Sequence, residues 1–571
     1  KHAKQALKIH RSFGEMFGKG LDLEFMGGLY MRKGDYQKSL EYFEYALDIF
    51  RDTGAKKLEG ETLERLGLLY NNQGDNQKAL KYFEAAIKIY ETNKIIFDAV
   101  LTDNIVDVLI AQKDYGKAIE FCAKMGTYGK IKLADFYNKT NEYPKAINCY
   151  EELLKKEYLL PDSYIYTCLG MAETRERLGR LRDASISYLN AVQMNEKVRS
   201  GFELEESKVW FLSRRVEPYR KLTSVLARLH LQGERLEAVE LLEYGNNYGN
   251  VAFYFVEQAR ARSLLEILAR KRGTGMVYKL PDELFQKEQN LLRQIAKIKL
   301  QMEPVVLTED KQLLEKEAER LSAMEAELEE FIHTMRKEHP QYAALKYPQP
   351  LRLQDVPLAP NEILLEYQIT EKATYLFVVG QNKNNPQQSV QGTQRKSELL
   401  KLIEIPISRE ELKGKVKDFR RPFEDTRYIN EFDPLKAKKL YELLLAEGVK
   451  GLPPEAHLIV VPDGILNLLP FETLVVNKDK MKKAESGGIT AYTGITYVVD
   501  QWRISYYQSA TVLGLNRKMG KEIHEWQSPL FALGDPIFDR EDSRYAEFLG
   551  KEKKGVALAS ATDDLPMRVR S

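Results

Sequence analysis

The feature that most constrains this chain is a long internal repeat near its beginning. The stretch GGLYMRKGDYQKSLEYFEYALDIF at residues 27–50 recurs as GLLYNNQGDNQKALKYFEAAIKIY at residues 67–90. Small residues keep their places between the two copies: Gly27 and Gly67, Ser39 and Ala79, Ala46 and Ala86. Such residues let two helices approach closely while aromatic residues fill the gaps, and a Gly-Asp turn joins each pair. The pattern predicts a solenoid of helix pairs.

Weaker copies of the repeat follow at residues 109–125, 136–153 and 172–192. In the first of these, Cys122 stands where the earlier copy has Phe83. Residues 203–270 keep a helical pattern and end in VEQARARSLLEILAR, with apolar residues at helical spacing. Together the copies resemble the tetratricopeptide repeat, with a longer connection between successive repeats.

That resemblance implies a concave groove that binds a peptide, a helix or a partner domain. By helical phase, Glu64 and Asn71 face this groove, and they are the candidate partner-binding residues. The alternative is a spacer without a ligand, because charged groove positions are often only solvated.

The first residues continue the same register. AKQALKIH at residues 3–10 lies one full repeat before FEYALDIF at residues 43–50, so Ala6 aligns with Ala46 and Ala86. The chain is therefore expected to begin inside the second helix of an earlier repeat. Since terminal repeats usually carry a polar cap, we expect an artificial or processed N-terminus.

Composition limits the classes of function. A chain of 571 residues should form several domains, and its net charge of +2 argues against a chain-wide nucleic-acid or membrane surface. Direct nucleic-acid binding is not expected, and no membrane span or signal peptide is visible. The three cysteines match no zinc or redox spacing and are interpreted as packing residues, which suggests a reducing, cytoplasmic location. No metal site and no cofactor are predicted.

The middle of the chain divides the predicted domains. Residues 1–200 are assigned to the repeat solenoid and residues 201–272 to its helical extension. Two amphipathic helices, broken apart around Pro304, predict a helical hairpin at residues 273–345, which is either a lever or a packed connector. Residues 346–361 are rich in proline and form a predicted linker.

From residue 362 onward the pattern changes to strands alternating with helices. EILLEYQI and TYLFVVG predict a β-hairpin, DPLKAKKLYELLL a helix, and HLIVVPD a buried strand. Later, WRISYYQSATVL predicts a strand leading into a helix capped by Ser509, and PLFALGDPIFD at residues 529–539 predicts a further strand. The alternation indicates an α/β sandwich with a mostly parallel sheet.

Taken in order, the repeats, QARARSLLEILA, LLEY, VVPDGILNLLPFETL, ISYYQSATVL and ALGDPIF resemble the CHAT family. These are caspase-like cysteine peptidase domains attached to tetratricopeptide repeats. The resemblance implies a multidomain fold: an all-α solenoid followed, at residues 362–571, by the N-terminal part of a caspase-like sandwich. It also implies that residues 462–471 are a rigid structural corner, in which Asp463 forms a turn and is not an acid catalyst.

The catalytic pair of that family is missing from the pattern. The family places a histidine before a glycine and a cysteine after Ser-Ala, both downstream of the Gly-Asp-Pro strand. Here no His-Gly pair occurs and no cysteine follows Cys168. His457 and His524 match no family position, and GLNRKMGKE lacks the spacing of a phosphate-binding loop. No catalytic residue is therefore assigned, and the chain by itself is predicted to be inactive.

Two hypotheses remain at this stage. The first is a partner-regulated cysteine peptidase of this type, cut at both ends, whose repeats bind a protein or ribonucleoprotein; some proteins of this architecture serve RNA-guided CRISPR effectors, and others act in bacterial signalling or defence. The second is a non-catalytic adaptor with a pseudo-peptidase half-domain. The unpaired edge of a truncated sheet argues mildly against the adaptor.

Overall fold

The structure is a computed structural model. It describes residues 16–520 except 96–98, 125, 157–158, 160, 201–215, 271–279, 309–310, 340–341, 344–346, 348, 382–395, 425–427, 429–431, 480 and 487–488. These residues form two compact units, which meet in sequence between Arg180 and Leu181. We call them the repeat unit (described from residue 16 to 180) and the sheet unit (described from residue 181 to 520).

Helices make up the described part of the repeat unit. They are α1 (Met16–Arg32), α2 (Tyr36–Asp52), α3 (Lys56–Asn72), α4 (Asn76–Thr92), α5 (Ala99–Ala111), α6 (Tyr115–Lys124), α7 (Gly126–Lys139), α8 (Tyr143–Leu154) and α9 (Pro161–Arg177). Consecutive helices pack as pairs, most closely α1 with α2 and α3 with α4. The helix pairs expected from the internal repeat are therefore present.

Close approach within each pair depends on glycine. A Cβ atom added to Gly27 would lie 2.6 Å from the Phe43 ring, and one added to Gly67 would lie 2.4 Å from the Phe83 ring. Both rings are fully buried. The predicted roles of these small and aromatic residues are confirmed, because a side chain at either glycine would occupy the space of the ring.

The Gly-Asp turns are built the same way in both copies. Gly34 and Gly74 have φ angles of 77° and 79°, in the left-handed region that glycine adopts without strain. The aspartate that follows caps the second helix of each pair: Asp35 accepts the Lys38 backbone N–H, and Asp75 accepts that of Lys78.

The sheet unit begins with helices. They are α10 (Leu181–Ser200), α11 (Glu217–Leu231), α12 (Val239–Leu242), α13 (Tyr248–Arg270), α14 (Asp282–Thr308) and α15 (Lys311–Glu338). Helices α14 and α15 pack against each other through a small apolar core that includes Ile295, Phe331 and Met335. The two predicted helices are present: α14 continues through Pro304 and ends at Thr308, and α15 begins at Lys311. A proline removes a single backbone hydrogen bond, and a long helix can accommodate that loss.

The remainder of the sheet unit alternates strands and helices. Its elements are β1 (Glu362–Ile369), β2 (Thr374–Gln381), β3 (Ser397–Ile405), α16 (Arg409–Glu424), α17 (Pro434–Leu444), α18 (Ala446–Val449), β4 (His457–Val461), β5 (Val475–Asn477), β6 (Lys482–Ser486), β7 (Ile489–Thr493), β8 (Thr496–Tyr497), α19 (Val498–Gln501), β9 (Arg503–Tyr506) and α20 (Ala510–Gly520). Short 3-10 helices occur at Leu353–Asp355, Gly464–Leu468 and Phe471–Thr473.

The main sheet has the order β3-β2-β1-β4-β9 in the described residues, while β5 with β8 and β6 with β7 form two small ribbons. Strand β1 pairs antiparallel with β2 and parallel with β4, and β4 pairs parallel with β9. The predicted hairpin is confirmed, but the sheet is mixed and not mostly parallel. Because the β1–β2 connection is a tight turn, that pair can only be antiparallel, and β2 pairs antiparallel with β3 as well.

Both faces of the sheet are covered. On one face Leu365 and Tyr367 of β1 belong to a large core with α16, α17 and the loop after β4. On the other face Phe253 of α13 meets the Phe377 ring of β2, with ring centroids 6.1 Å apart. Helix α13, which ends in the motif VEQARARSLLEILAR, therefore forms part of the second helical layer of an α/β sandwich.

The proline-rich stretch before β1 packs tightly. Leu353, Val356 and Leu358 are buried, and the Ser397 hydroxyl donates to the Val356 carbonyl.

The segments at residues 1–15 and 521–571 lie outside the described residues. They include the predicted partial repeat, His524 and the predicted strand at 529–539.

Candidate functional site

The two candidate partner-binding residues lie seven positions apart on helix α3. This spacing places them on one face of the helix. The Tyr90 hydroxyl of α4 donates a hydrogen bond of 2.5 Å to Glu64, so Glu64 also joins the helices of its own repeat. Asn71 is half-buried near the end of α3. Their role in binding a partner stays a prediction.

The equivalent position one repeat earlier carries an ion pair between repeats. Glu24 of α1 holds the place in its repeat that Glu64 holds in the next one, and it accepts a hydrogen bond of 2.5 Å from the Arg65 guanidinium of α3. Burial raises the pKa of Glu24, while the Arg65 charge opposes this shift. The first helices of successive pairs are thus linked through their polar faces.

A richer polar surface lies between α5 and α7, and sequence reasoning missed it. The Lys132 ammonium lies 2.7 Å from Asp103, and the exposed pair Lys139 and Asp107 lies at 2.9 Å. With Asp135 and neighbouring residues they line a small cavity of about 100 Å³. The repeat register contains a signal for this surface. Asp103 occupies the position in its repeat that Glu64 has one repeat earlier, because the separation between these two residues equals that between Ala79 and Ala118. These side chains form a row of charged donors and acceptors between the two helices.

The cysteines provide no reactive nucleophile. Cys122, Cys149 and Cys168 are buried free thiols in helices α6, α8 and α9. Burial raises the pKa of all three thiols, to about 11 for Cys122 and about 12 for Cys168. Since the thiolate is the attacking form, these side chains are packing residues of the repeats, as the sequence analysis proposed.

The loop after β4 is a structural corner. Asp463 accepts the backbone N–H of Ile369 at 2.7 Å and the side-chain amide of Gln368 at 3.2 Å, so it fastens the end of β1 to the end of β4. Leu466 and Phe471 are fully buried in the main core, and the Phe471 and Tyr367 rings are 5.4 Å apart. The interpretation of Asp463 as a turn residue agrees with these contacts.

His457 lies at the start of β4, at the opposite end of the strand from this corner. Its Nδ1 is 3.6 Å from Glu362, which also forms two hydrogen bonds with the Arg517 guanidinium of α20. All three side chains are partly shielded, and no cysteine lies in the described part of the sheet unit. His457 therefore lies beside the Glu362–Arg517 ion pair, at the N-terminal ends of β1 and β4.

The most unusual group in the sheet unit is a set of buried charges, which we call the carboxyl cluster: Glu257 and Arg260 of α13 and Glu366 of β1. Both glutamates are 0% exposed. Arg260 Nε lies 3.4 Å from Glu366 Oε1, and Glu257 accepts hydrogen bonds from the first turn of α20. Burial, followed by the adjacent Glu257 carboxylate, raises the pKa of Glu366 well above its ordinary value. Buried ionisable groups of this kind are expensive to maintain and often mark positions of functional importance.

In sequence, Glu366 is the single acidic residue inside LLEYQI, and Glu257 and Arg260 lie in VEQAR. Glu366 lies in the family motif LLEY and Arg260 in QARARSLLEILA, and neither motif assigns a role to these residues. Nothing in the local pattern shows that the two stretches meet.

Comparison with known proteins finds two family matches in this chain. A tetratricopeptide repeat model matches residues 22–92, and a CHAT domain model matches residues 435–564. No curated protein matches the chain. Among the described helices, none combines the length and apolar character needed to cross a membrane.

A search of solved structures also gives matches at low identity. BtubC (BKLC) from P. vanneervenii is 14% identical, with a TM-score of 0.27 over 49% of this chain and 93% of that chain. The TPR2AB-domain:pHSP90 complex of yeast Sti1 is 14% identical, with a TM-score of 0.16 over 47% and 85%. The apo form of the quorum sensor NprR from B. thuringiensis is 17% identical, with a TM-score of 0.24 over 60% and 92%. Because these scores are low, the architecture rests on the family matches and on the elements described above.

Proposed function

We propose that this chain, which has the tetratricopeptide repeat–CHAT architecture, is a partner-regulated protein of the caspase-like cysteine peptidase type. In this proposal the repeat unit binds a protein or ribonucleoprotein partner, and the sheet unit responds. The observation that carries the proposal is the position of helix α13. This helix follows the repeat-type helices in the chain and reaches the buried face of the sheet through Glu257 and Arg260.

Partner binding is supported by the polar faces of α5 and α7. The pair Asp107 and Lys139 is exposed, with each side chain 59% accessible, so both residues are available to a polypeptide. Exposed ion pairs add little to stability, and exchanging one for contacts with a partner costs little. An RNA-guided effector is one class of ribonucleoprotein partner consistent with this architecture, and a bacterial signalling or defence role fits the same scheme. We place the protein in the cytoplasm, where three buried free thiols stay reduced.

Peptide-bond cleavage requires a thiolate and a histidine within hydrogen-bond reach of each other. The 571-residue sequence has no cysteine after Cys168 and no His-Gly pair. The 571-residue chain assayed alone is therefore expected not to cleave peptides.

Intact-mass measurement of the native protein from its source tests the peptidase proposal. A mass well above 65.9 kDa, with a His-Gly and a Ser-Ala-Cys in the additional sequence, supports it. The matching assay adds the co-purified partner and follows cleavage of protein substrates, with a Cys-to-Ala variant of the additional cysteine as control. A native mass of 65.9 kDa, or no cleavage with the partner bound, would reject it.

The second candidate function is a non-catalytic repeat adaptor. It is supported by the burial and raised pKa values of the thiols, which provide no reactive nucleophile in the repeat unit. Partner binding at a native mass of 65.9 kDa is the outcome that this second proposal expects.

A further inference from the structure

We propose that Glu257 and Arg260 are positioning residues that fasten helix α13 to the carboxyl ends of β1 and β4 and to the first turn of α20. One proton shared between Glu257 and Glu366 completes this contact. That a displacement of α13 is passed through this contact to the CHAT domain rests on the proposed function. The contact itself is a property of the sheet unit and does not depend on that function.

Arg260 supplies the contact to the strands. Its guanidinium donates to the backbone carbonyls of Tyr367 near the end of β1 and of Val461 and Pro462 at the end of β4. Carbonyls at strand ends have no partner in the ladder, and a guanidinium has five N–H donors in a fixed plane. A single side chain of α13 therefore joins two parallel strands at their carboxyl ends, where open α/β sheets usually bind ligands.

Glu257 supplies the contact to helix α20. Its carboxylate accepts the backbone N–H groups of Ala510 at 2.9 Å and Thr511 at 2.6 Å, and the Thr511 hydroxyl at 2.5 Å. Ser509 accepts the next N–H, that of Val512, at 3.1 Å. The first N–H groups of a helix have no partner within the helix, so Glu257 and Ser509 together complete this end of α20.

Glu366 explains the shared proton. Neither of its carboxylate oxygens has a hydrogen-bond donor in the described residues, although the side chain is fully buried. The Glu257 carboxylate acts on Glu366 and opposes its ionisation, because two neighbouring buried carboxylates cannot both be ionised at low cost. Glu257 already accepts three hydrogen bonds from α20, so a proton carried by Glu366 has the Glu257 carboxylate as its acceptor.

Two further charges that act on Glu366 are those of Arg260 and Asp463. Arg260 on α13 favours ionisation of Glu366, and Asp463 after β4 opposes it. Asp463 is itself 3.7 Å from Arg220 of α11, which compensates part of its charge. Burial and Glu257 outweigh Arg260, and the pKa of Glu366 is raised well above the ordinary carboxyl range.

Hydrogen-exchange mass spectrometry of the full chain tests the inference with three variants. Glu257→Gln loses the carboxylate and should accelerate exchange of peptides covering residues 507–513 by roughly tenfold to a hundredfold. Glu366→Gln copies the protonated carboxyl, because its amide can donate to Glu257, and should leave that exchange within about threefold of the parent. Glu371→Gln, an exposed glutamate in the turn after β1, is the control for the charge change and should have no effect.

The pH dependence separates a shared proton from a simple ion pair. A carboxyl whose pKa is raised on folding contributes stability that is present below its unfolded pKa and is lost as pH rises through its folded pKa. Protection of residues 507–513 in the parent chain should therefore fall as the pH rises above the ordinary carboxyl range, after correction for the intrinsic exchange rate, by at least about tenfold. In Glu366→Gln this fall should disappear.

Several outcomes would overturn the inference. Equal loss of protection in Glu366→Gln and Glu257→Gln would make Glu366 an ionised partner of Arg260. Unchanged exchange at residues 507–513 in Glu257→Gln would remove the contact to α20. Should a variant fail to fold, the parent chain alone decides, because protection that does not depend on pH contradicts the shared proton. None of these results touches the intact-mass or cleavage tests, so the two proposals can fail separately.

Discussion

Helix α1 offers a matched pair of substitutions, Gly27→Ala and Gly28→Ala, that isolates the close packing of the repeats. Either change replaces glycine by alanine in a helix and should add about 1 kcal/mol of helix propensity. At Gly28 the new methyl group meets nothing within 4 Å. At Gly27 it would lie 2.6 Å from two atoms of the Phe43 ring, which is 0% exposed and cannot turn away.

The structure gives the sign of each effect. Gly28→Ala should stabilise the first helix pair by about 0.5–1 kcal/mol, because only the propensity changes. At Gly27 the two helices must separate by the better part of an ångström, and overpacking of this kind costs about 1–3 kcal/mol or more. The Ser39 hydroxyl, which donates to the Gly27 carbonyl at 2.9 Å, would be displaced as well. After the propensity gain, Gly27→Ala should destabilise the pair by about 1–2 kcal/mol.

Hydrogen exchange of peptides from α1 and α2, measured in the full chain, reports the opening free energy of this pair directly. The expected result is faster exchange in Gly27→Ala by roughly tenfold and slower exchange in Gly28→Ala by a few-fold. Combining Gly27→Ala with Phe43→Leu, which removes part of the ring, should recover a portion of the loss. Equal effects of the two alanines would refute the argument that the glycine–ring contact sets the distance between the helices.

Two further predictions follow from the contacts described. In the folded chain the three cysteines should react with a water-soluble thiol reagent at pH 7.5 only over hours, because burial raises their pKa values. In denaturant all three should react at once. Rapid labelling of the folded chain would contradict their role in packing. Asp463→Ala should destabilise the sheet unit by about 1.5–3 kcal/mol, since the Ile369 N–H loses a charged acceptor. Asp463→Asn should cost less because it keeps an acceptor oxygen, and an unchanged urea midpoint for the alanine variant would exclude the structural role.

Much of the repeat unit could be predicted from sequence because its rules are local. The glycine, alanine and aspartate of each helix pair act within a single repeat, and both copies show the same register. The hairpin of β1 and β2 and the Ser509 cap of α20 are equally local, since each involves a turn or a single helix end. These features follow from backbone preferences that hold wherever the residues occur.

What the sequence could not supply is the pairing of distant segments. Strand β1 pairs with β4 across a long stretch of intervening chain, with Glu366 opposite Val461, and no short pattern fixes that choice. The two-residue period of β1 predicts that Glu366 and Leu365 lie on opposite faces. By that rule alone Glu366 belongs on a solvent-facing surface.

Sequence by itself therefore determined that this chain has helix pairs, a strand-rich C-terminal part and the motifs of the two families it matches. Tertiary structure decided that α13 covers the second face of the sheet and buries Glu366 beside Glu257 and Arg260. The physical reason is that propensity and periodicity act over a few residues, whereas the ionisation of a carboxyl depends on which distant groups exclude water from it.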